Sequence, residues 1–381
     1  MTMDFEFNEQ QQLFRESFQK FLGDNYDLAR HAIVAQADRF DETLWSNLAE
    51  LGLFAMLVPQ NHGGMGLGWV DVALVIEELG KSLIHSPVTD TLVATDIIAR
   101  YGTSAQQATL LPRIATGALR VVTAIAEPDS DYGTKGIAAL VTSAQNGWRL
   151  SGTKMLVPHA GTEGLVMVAA RAGAGGHLGI ALVPPQRTGV QGRPHVTLDP
   201  ATKLEGVVYS DVSLADSDFL GSHPEAVNAV ERLLDLHAGV ASLAMVGIAG
   251  RMLELSVNYA HERVQFDKPI GSFQAIKHRC ADIAVALDAA RSAAYYAAWA
   301  LSEGSSDSAK AVSMAKAYCG DAARMACNEG IQIHGGMGFT WELGLHYYLR
   351  RTKLLEFSYG DAAFHRERVL AATLQSLGIA S

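Results

Sequence analysis

The sequence predicts an α+β chain in three parts: an N-terminal α-helical domain (residues 1–118), a middle β-barrel or sandwich domain (119–222) and a C-terminal four-helix bundle (223–381). Three observations carry this. Apolar residues recur at three- and four-residue spacing up to about Ala115, short runs of Val, Ile, Leu and Ala broken by Gly, Pro, Asn and Asp take over at Val121, and much longer helical patterns follow Pro224. With 381 residues, 49% of them hydrophobic, the chain can bury more than one core.

The elements follow in order. Asn8 is an N-cap ahead of Glu9, and Leu13, Phe14, Phe18, Phe21 and Leu22 line one face of the first helix. A second helix covers Leu44–Leu51 and stops at Gly52. Apolar Leu53–Pro59 then enters the loop Asn61–Gly66, whose glycines suit a turn better than a phosphate cradle because no Lys-Ser/Thr follows. Helical spacing returns over Val70–Leu79, ended by Gly80, over Thr89–Tyr101, ended by Gly102, and over Gln106–Ala115. Strands are expected at Val121–Ala126, Ala138–Thr142, Trp148–Leu150, Leu165–Ala170, Gly179–Val183 and Gly206–Tyr209, with Ala169–Gly176 reading as a loop among them.

From Pro224, behind Ser222, the pattern is helical for roughly forty residues, on the order of 60 Å. Gly239, Gly247 and Gly250 would weaken that helix in isolation, and Ala238–Leu253 is apolar almost all round, so packing must hold it. The junction Arg263–Asp282 turns through Pro269 and Gly271 into a helix reaching Ser302 and stopped by Gly304. Another helix covers Ser306–Glu329, stopped by Gly330, and the loop His334–Gly338 leads to helices around Trp341–Phe357 and Asp361–Ser376.

Composition narrows the function. With 40 acidic against 30 basic residues, net charge −10 and no basic block, the chain lacks the clustered cations of a nucleic-acid surface. Cys280, Cys319 and Cys327 lack C-x-x-C spacing, so neither a disulfide framework nor a metal site is expected. The N-terminus lacks the basic and apolar regions of a secretory leader, and no uninterrupted apolar run has membrane-spanning length. A cytoplasmic protein with no membrane partner is therefore expected.

Two motifs then stand in order: Glu262-Arg-Val-Gln-Phe-Asp-Lys-Pro-Ile270 with Phe273-Gln-Ala-Ile276 and Ala281-Asp282, and Gln332-Ile-His-Gly-Gly-Met-Gly-Phe339. With Leu51-Gly52-Leu53, His62-Gly63-Gly64 and Ala126-Glu127-Pro128, they resemble the acyl-CoA dehydrogenase family of flavoproteins across essentially the whole chain. The resemblance implies FAD-dependent oxidation of an acyl-CoA substrate to the 2,3-enoyl product in fatty acid metabolism, with electrons leaving to an electron-transfer flavoprotein or similar acceptor. It also implies that Arg263, Phe266 and Gln274 hold the pyrophosphate and adenosine side of FAD across a subunit interface. Gln332, Gly335, Gly336 and Gly338 would meet the same dinucleotide from the neighbouring subunit, and Ile125 and Ala126 would offer backbone contacts to the flavin ring. Taken singly, Arg263 and Gln274 read equally as exposed helix-end residues, and Gly335-Gly336 as a helix stop.

The family's general base is usually a glutamate before Gly-Thr, and here that position is Tyr359, followed by Gly360 and Asp361. A phenol is only about 0.1% ionised at pH 7, and its use as a base would need a shift worth roughly 4 kcal/mol, so Tyr359 reads as a pocket wall beside Gly360. The alternative family position, on the long helix, is His237, chemically able but set among Leu233, Leu234, Val240 and Ala241 as a core histidine would be. Asp361 is the nearest carboxylate and the candidate base, though Asp is also a favoured N-cap there; Glu356 has the right chemistry but lies a turn upstream.

The ending Glu356–His365 is similar to the branch represented by the small subunit of pimeloyl-CoA dehydrogenase. That likeness implies either a homo-oligomer or a heterotetramer with a paralogous acyl-CoA dehydrogenase subunit. Asp129-Ser-Asp-Tyr-Gly133 and Met155-Leu-Val157 depart from the family's Gly-Ser-Asp and Trp-Ile-Thr, which allows FAD at only some interfaces. Two other functions stay open: a non-catalytic subunit that completes a partner's site, and a flavin monooxygenase or oxidase on the same fold.

Overall fold

The computed structural model describes residues 7–37, 40–84, 87–145, 147–158, 164–172, 176–221 and 223–379, with backbone alone for 223–227. Residues 1–6, on which the leader reading rests, and Ser222, the expected cap of the long helix, lie outside them.

The first helix, α1 (Glu9–Asn25), begins as expected: the Asn8 side chain accepts from the Gln11 amide while the Gln11 side chain accepts from the Asn8 amide. Then comes α2 (Leu28–Gln36), absent from the sequence expectation because it is only nine residues long and its apolar spacing is short. Next are α3 (Glu42–Glu50), α4 (Trp69–Lys81), α5 (Val88–Tyr101) and α6 (Ser104–Ala115). Strands replace helices at β1 (Val121–Ala124), followed by β2 (Leu140–Ala144), β3 (Gly147–Pro158), β4 (Leu165–Ala172), β5 (His177–Val183), β6 (Val190–Pro194), β7 (Leu204–Leu214) and β8 (Phe219–Leu220). The remainder is α7 (His223–Glu262), a hairpin of β9 (Val264–Gln265) and β10 (Lys268–Pro269), α8 (Gln274–Glu303), α9 (Ser308–His334), α10 (Leu345–Phe357) and α11 (Ala362–Ser376).

Backbone packing groups the described residues into two compact units, one from Met1–Ile33, Trp69–Ile84 and Ala238–Ser381, the other from Val34–Gly68 and His85–His237. In the second, β1–β8 form one sheet among the described residues. Its order is β6-β7-β3-β2-β4-β5-β8, with β1 parallel to β4 and β2 parallel to β4 amid otherwise antiparallel pairs. One face buries Val122, Ala124, Val141, Leu150, Val166, Val168 and Val212 in a common core.

Several boundaries differ from expectation for identifiable reasons. Ala138 and Ala139 are not in a strand because their amides donate to the Glu127 carboxylate instead of to a ladder. Arg171 and Ala172, expected in a loop, extend β4 beyond the expected Ala170, and positions 173–175 of that loop lie outside the described residues.

In the first unit, Gly80 does not end α4, which runs on to Lys81. Its glycine serves a close crossing with α7: a Cβ on Gly80 would lie 2.3 Å from the Ala244 carbonyl oxygen, and one on Gly247 would lie 2.0 Å from that of Glu77. Gly330 likewise does not stop α9, which continues to His334; a Cβ there would lie 2.5 Å from Met252 Cε. Helix-breaking glycines and close-packing glycines look alike in sequence, and here the neighbours decide. The stretch Asn228–Glu262 of α7 is long and apolar enough to cross a bilayer, but its apolar surface is buried inside the protein.

Candidate functional site

The Arg263–Asp282 junction turns differently from expectation. Pro269 and Gly271 follow the reversal, which is made by the β9–β10 hairpin: Phe266 and Asp267 form its two-residue loop, with φ of 53° and 60°. Such a loop matches the twist of the flanking strands but normally favours Asn or Gly. Yet Phe266 is 86% exposed, its ring meeting only the edge of Phe273 at 6.1 Å between centroids. Every residue from His261 to Pro269 is exposed, as is Gln274, and among the described residues the Arg263 guanidinium makes no ion pair.

The second motif starts from a neighbouring helix end. His334 closes α9, stacks on Tyr259 of α7 at 4.3 Å and bonds the Gly330 carbonyl through Nδ1 at 2.7 Å. The Arg263 amide in turn donates to the Tyr259 carbonyl at 2.8 Å. One ring stack thus ties the bases of the two motifs together. Gln332, Gly335 and Gly336 are exposed, and a Cβ on either glycine would meet nothing within 4 Å. Gly338 differs: it is buried, and a Cβ would lie 2.5 Å from the Ile331 carbonyl, so its role is to let the loop fold back on α9.

In the β-rich unit, Ile125 is buried and Ala126 exposed where β1 ends. Lys154 fixes this place. Its ammonium is fully buried, 2.5 Å from Glu127 Oε1 and 3.0 Å from the Ile125 carbonyl, and the Met155 amide bonds the Ala126 carbonyl at 2.8 Å. Burial pushes the Lys154 amine below its ordinary range, opposed by the carboxylate of Glu127. The departure at Met155-Leu156 coincides with a bulge in the β3–β7 pairing, and Leu156, with φ of 56°, is thrown outward, 50% exposed.

His237 is a buried histidine in a hydrogen-bond chain. The Thr123 hydroxyl donates to Asp90 Oδ1 at 3.0 Å, because a carboxylate only accepts, so its oxygen accepts from His237 Nε2–H at 2.9 Å. That tautomer places the ring's basic lone pair on Nδ1. Burial holds the imidazole below its ordinary pKa, with Asp90 pulling the other way.

The last candidates share one turn. Tyr359 has φ of 57° and Gly360 φ of 107°; a Cβ on Gly360 would come within 2.5 Å of Phe364 Cδ1 and 2.6 Å of His365 Nε2. Asp361 caps α11, its Oδ1 accepting from the Phe364 amide at 2.9 Å. Glu356 is buried and bound by Arg324 and by Lys353 at 3.0 Å. Beneath the turn lie two residues the sequence reading passed over, Lys316 of α9 and His365 of α11. The only signal for Lys316 was a cation within the apolar stripe Ala311, Val312, Ala315 and Cys319.

Among known proteins, residues 8–118 match the acyl-CoA dehydrogenase N-terminal domain and residues 227–374 the acyl-CoA dehydrogenase C-terminal domain. A probable acyl-CoA dehydrogenase of Bacillus subtilis, YngJ, is 31% identical over 96% of this chain and 98% of its own. The structure described as PigA with FAD and proline is 25% identical with a TM-score of 0.89, covering 99% of this chain and 100% of the other. A variant of the Tcur3481-Tcur3483 steroid ACAD is 28% identical with a TM-score of 0.86, covering 98% of this chain and 99% of the other.

Proposed function

The chain belongs to the acyl-CoA dehydrogenase family, and on that premise we propose that it binds FAD and oxidises an acyl-CoA thioester to the 2,3-enoyl-CoA. In this reading it acts in the cytoplasm as one subunit of a homo-oligomer or of a heterotetramer with a paralogous subunit. The observation that carries it is the exposed set Arg263, Phe266, Gln274, Gln332 and Gly336, of which Arg263 makes no ion pair and Phe266 only an edge contact with Phe273 among the described residues.

These residues fit the dinucleotide. Arg263 presents a guanidinium suited to a pyrophosphate, Gln274 and Gln332 present amides, and the open backbone at Gly335-Gly336 leaves room for close approach. Within the β-rich unit, Lys154 and Glu127 set the Ile125–Ala126 backbone that the family resemblance expects against a flavin ring. When bound, FAD supplies the acceptor for the hydride leaving the β-carbon. This chain's residues must bind the thioester, exclude water and take the α-proton. Asp361 is the carboxylate at the turn for that proton, while Tyr359 and Gly360 wall the same place. Electrons then pass to an electron-transfer flavoprotein or a similar acceptor.

The test is flavin content per chain in the purified assembly, followed by anaerobic titration with butanoyl-CoA, octanoyl-CoA and a dicarboxylic thioester. Bleaching of the flavin near 450 nm is expected with at least one; retention of flavin with no bleaching by any, alone or with a coexpressed paralogue, counts against the reading. A second reading has its own observation: Asp361 is engaged as a helix cap, and an ungapped count along the sequence puts Tyr359 where the family's glutamate is expected. This chain would then complete a partner's site without reacting. Asp361→Asn, which keeps the cap, separates the two. A large loss of bleaching rate with flavin retained supports catalysis here, and an unchanged rate in a reconstituted heterotetramer supports the second reading.

A further inference from the structure

Lys316 is an ammonium only 2% exposed, in a helix whose neighbouring inward positions are Val312, Ala315 and Cys319. Its Nζ lies 2.9 Å from the Glu356 carbonyl oxygen and 2.7 Å from that of Gly360. The Glu356 carbonyl belongs to the last turn of α10, where helical carbonyls lack an intrahelical donor and the helix dipole favours a cation. The Tyr359 carbonyl between them accepts from His365 Nε2 at 3.1 Å, which leaves Nδ1 of that ring to accept from the Ser313 hydroxyl at 3.2 Å.

Thus the carbonyls of residues 356, 359 and 360 are all held from below, by α9 and α11. That arrangement accompanies the left-handed backbone of Tyr359, which is unfavourable for an L-residue and persists only where the surroundings over-determine it. A methionine would fill the Lys316 volume without burying a charge; what the lysine adds is a directed pair of charge-assisted bonds.

We propose that Lys316 is the positioning residue of the Glu356–Asp361 turn: by gripping the carbonyls of Glu356 and Gly360 it fixes where Tyr359 and Asp361 stand. Burial dominates and brings the amine down to about 8, while the carboxylates of Glu356 and Asp361 support its charged form. The assignment rests on the dehydrogenase reading only for its catalytic consequence; the anchoring itself does not.

The experiment is hydrogen–deuterium exchange on the flavin-loaded assembly, comparing wild type with Lys316→Met and Lys316→Arg. Lys316→Met is expected to speed exchange of amides 357–361 at least tenfold while those of α4 and α8 stay within twofold, with flavin content unchanged. Lys316→Arg, which keeps the charge and the donors, should restore most of the protection. With a thioester that bleaches wild type, Lys316→Met should lower the saturating bleaching rate at least tenfold with little change in the half-saturating concentration. Unchanged exchange at 357–361, or acceleration spread equally through α4 and α8, overturns the proposal. If Lys316→Met does not fold, the shorter donor Lys316→Gln is expected to give intermediate exchange confined to 357–361, and wild-type protection in it overturns the proposal equally. If no thioester bleaches wild type while the exchange result holds, the dehydrogenase reading fails and the anchoring stands.

Discussion

Two stretches of the same compact unit treat their polar groups in opposite ways. From Arg263 to Gln274 the chain shows a guanidinium with no ion pair among the described residues, an amide and an aromatic ring to the outside; from Glu356 to Asp361 every carbonyl named above has a donor and the Asp361 carboxylate has a helix to cap. The first is unfinished within one chain, as a surface built for a dinucleotide and a second subunit would be. The second is finished, and its precision is bought by burying Lys316 and His365. An exposed site can be read from what it lacks, whereas a buried one has to be read from what holds it.

The largest effect expected from this contrast is electrostatic. The Lys316 amine holds its proton up to about 8 in the folded protein against an ordinary 10.5, chiefly because it is buried. Between those values the unfolded chain binds a proton that the folded one does not, so stability rises as pH rises through that window, by ~3 kcal/mol. Below about 8 both states are protonated and the full cost is present. Denaturant unfolding of wild type and Lys316→Met from pH 7.5 to 10.5 should therefore differ in slope, with wild type gaining relative to the variant as pH rises. Parallel curves would mean that the lysine is not buried with its charge, and the contrast between a finished and an unfinished region would lose its basis.

A smaller effect is expected on the open side, and in a different observable. Among the described residues the Arg263 guanidinium makes no ion pair or hydrogen bond, so Arg263→Gln should change the stability of the flavin-free protein by less than ~0.5 kcal/mol. Its bond to a phosphate would be worth about 1.5–3 kcal/mol, so FAD should bind roughly 10- to 100-fold more weakly, as read by flavin titration. A loss of stability without a loss of flavin affinity would reverse the assignment of this edge.

The same distinction explains what could be read in the sequence. The helical, β, helical order, the Asn8 cap and the two motifs were legible because they rest on local periodicity and on residue types with few alternative uses. Gly80 and Gly330 were misread as helix ends because their reason is a distant backbone or side chain. The edge residues Arg263, Gln274 and Gln332 were legible as a motif, while Lys316, His365 and the Asp90–Thr123–His237 chain were not, since each gains its meaning from partners remote in sequence. Asp361 was foreseen in both of its capacities, and the geometry displays the cap.

The smallest expected effect concerns Phe266, and its sign is informative. A phenylalanine at φ of 53° is held in a backbone region that suits asparagine better, and its ring is exposed except for the edge contact with Phe273. If that ring served its own chain, Phe266→Asn would destabilise it. If the ring serves an adenine or a second subunit, the flavin-free chain should be unchanged or gain up to ~1 kcal/mol as the left-handed strain is relieved. Over the same substitution, flavin retention on dilution should fall severalfold, because an apolar contact is removed from the assembled site alone. Denaturant unfolding of the flavin-free variant and its flavin content after gel filtration check both halves. A destabilisation beyond ~1 kcal/mol would place Phe266 with the finished region and leave Arg263 and the glutamines to define the open edge without it.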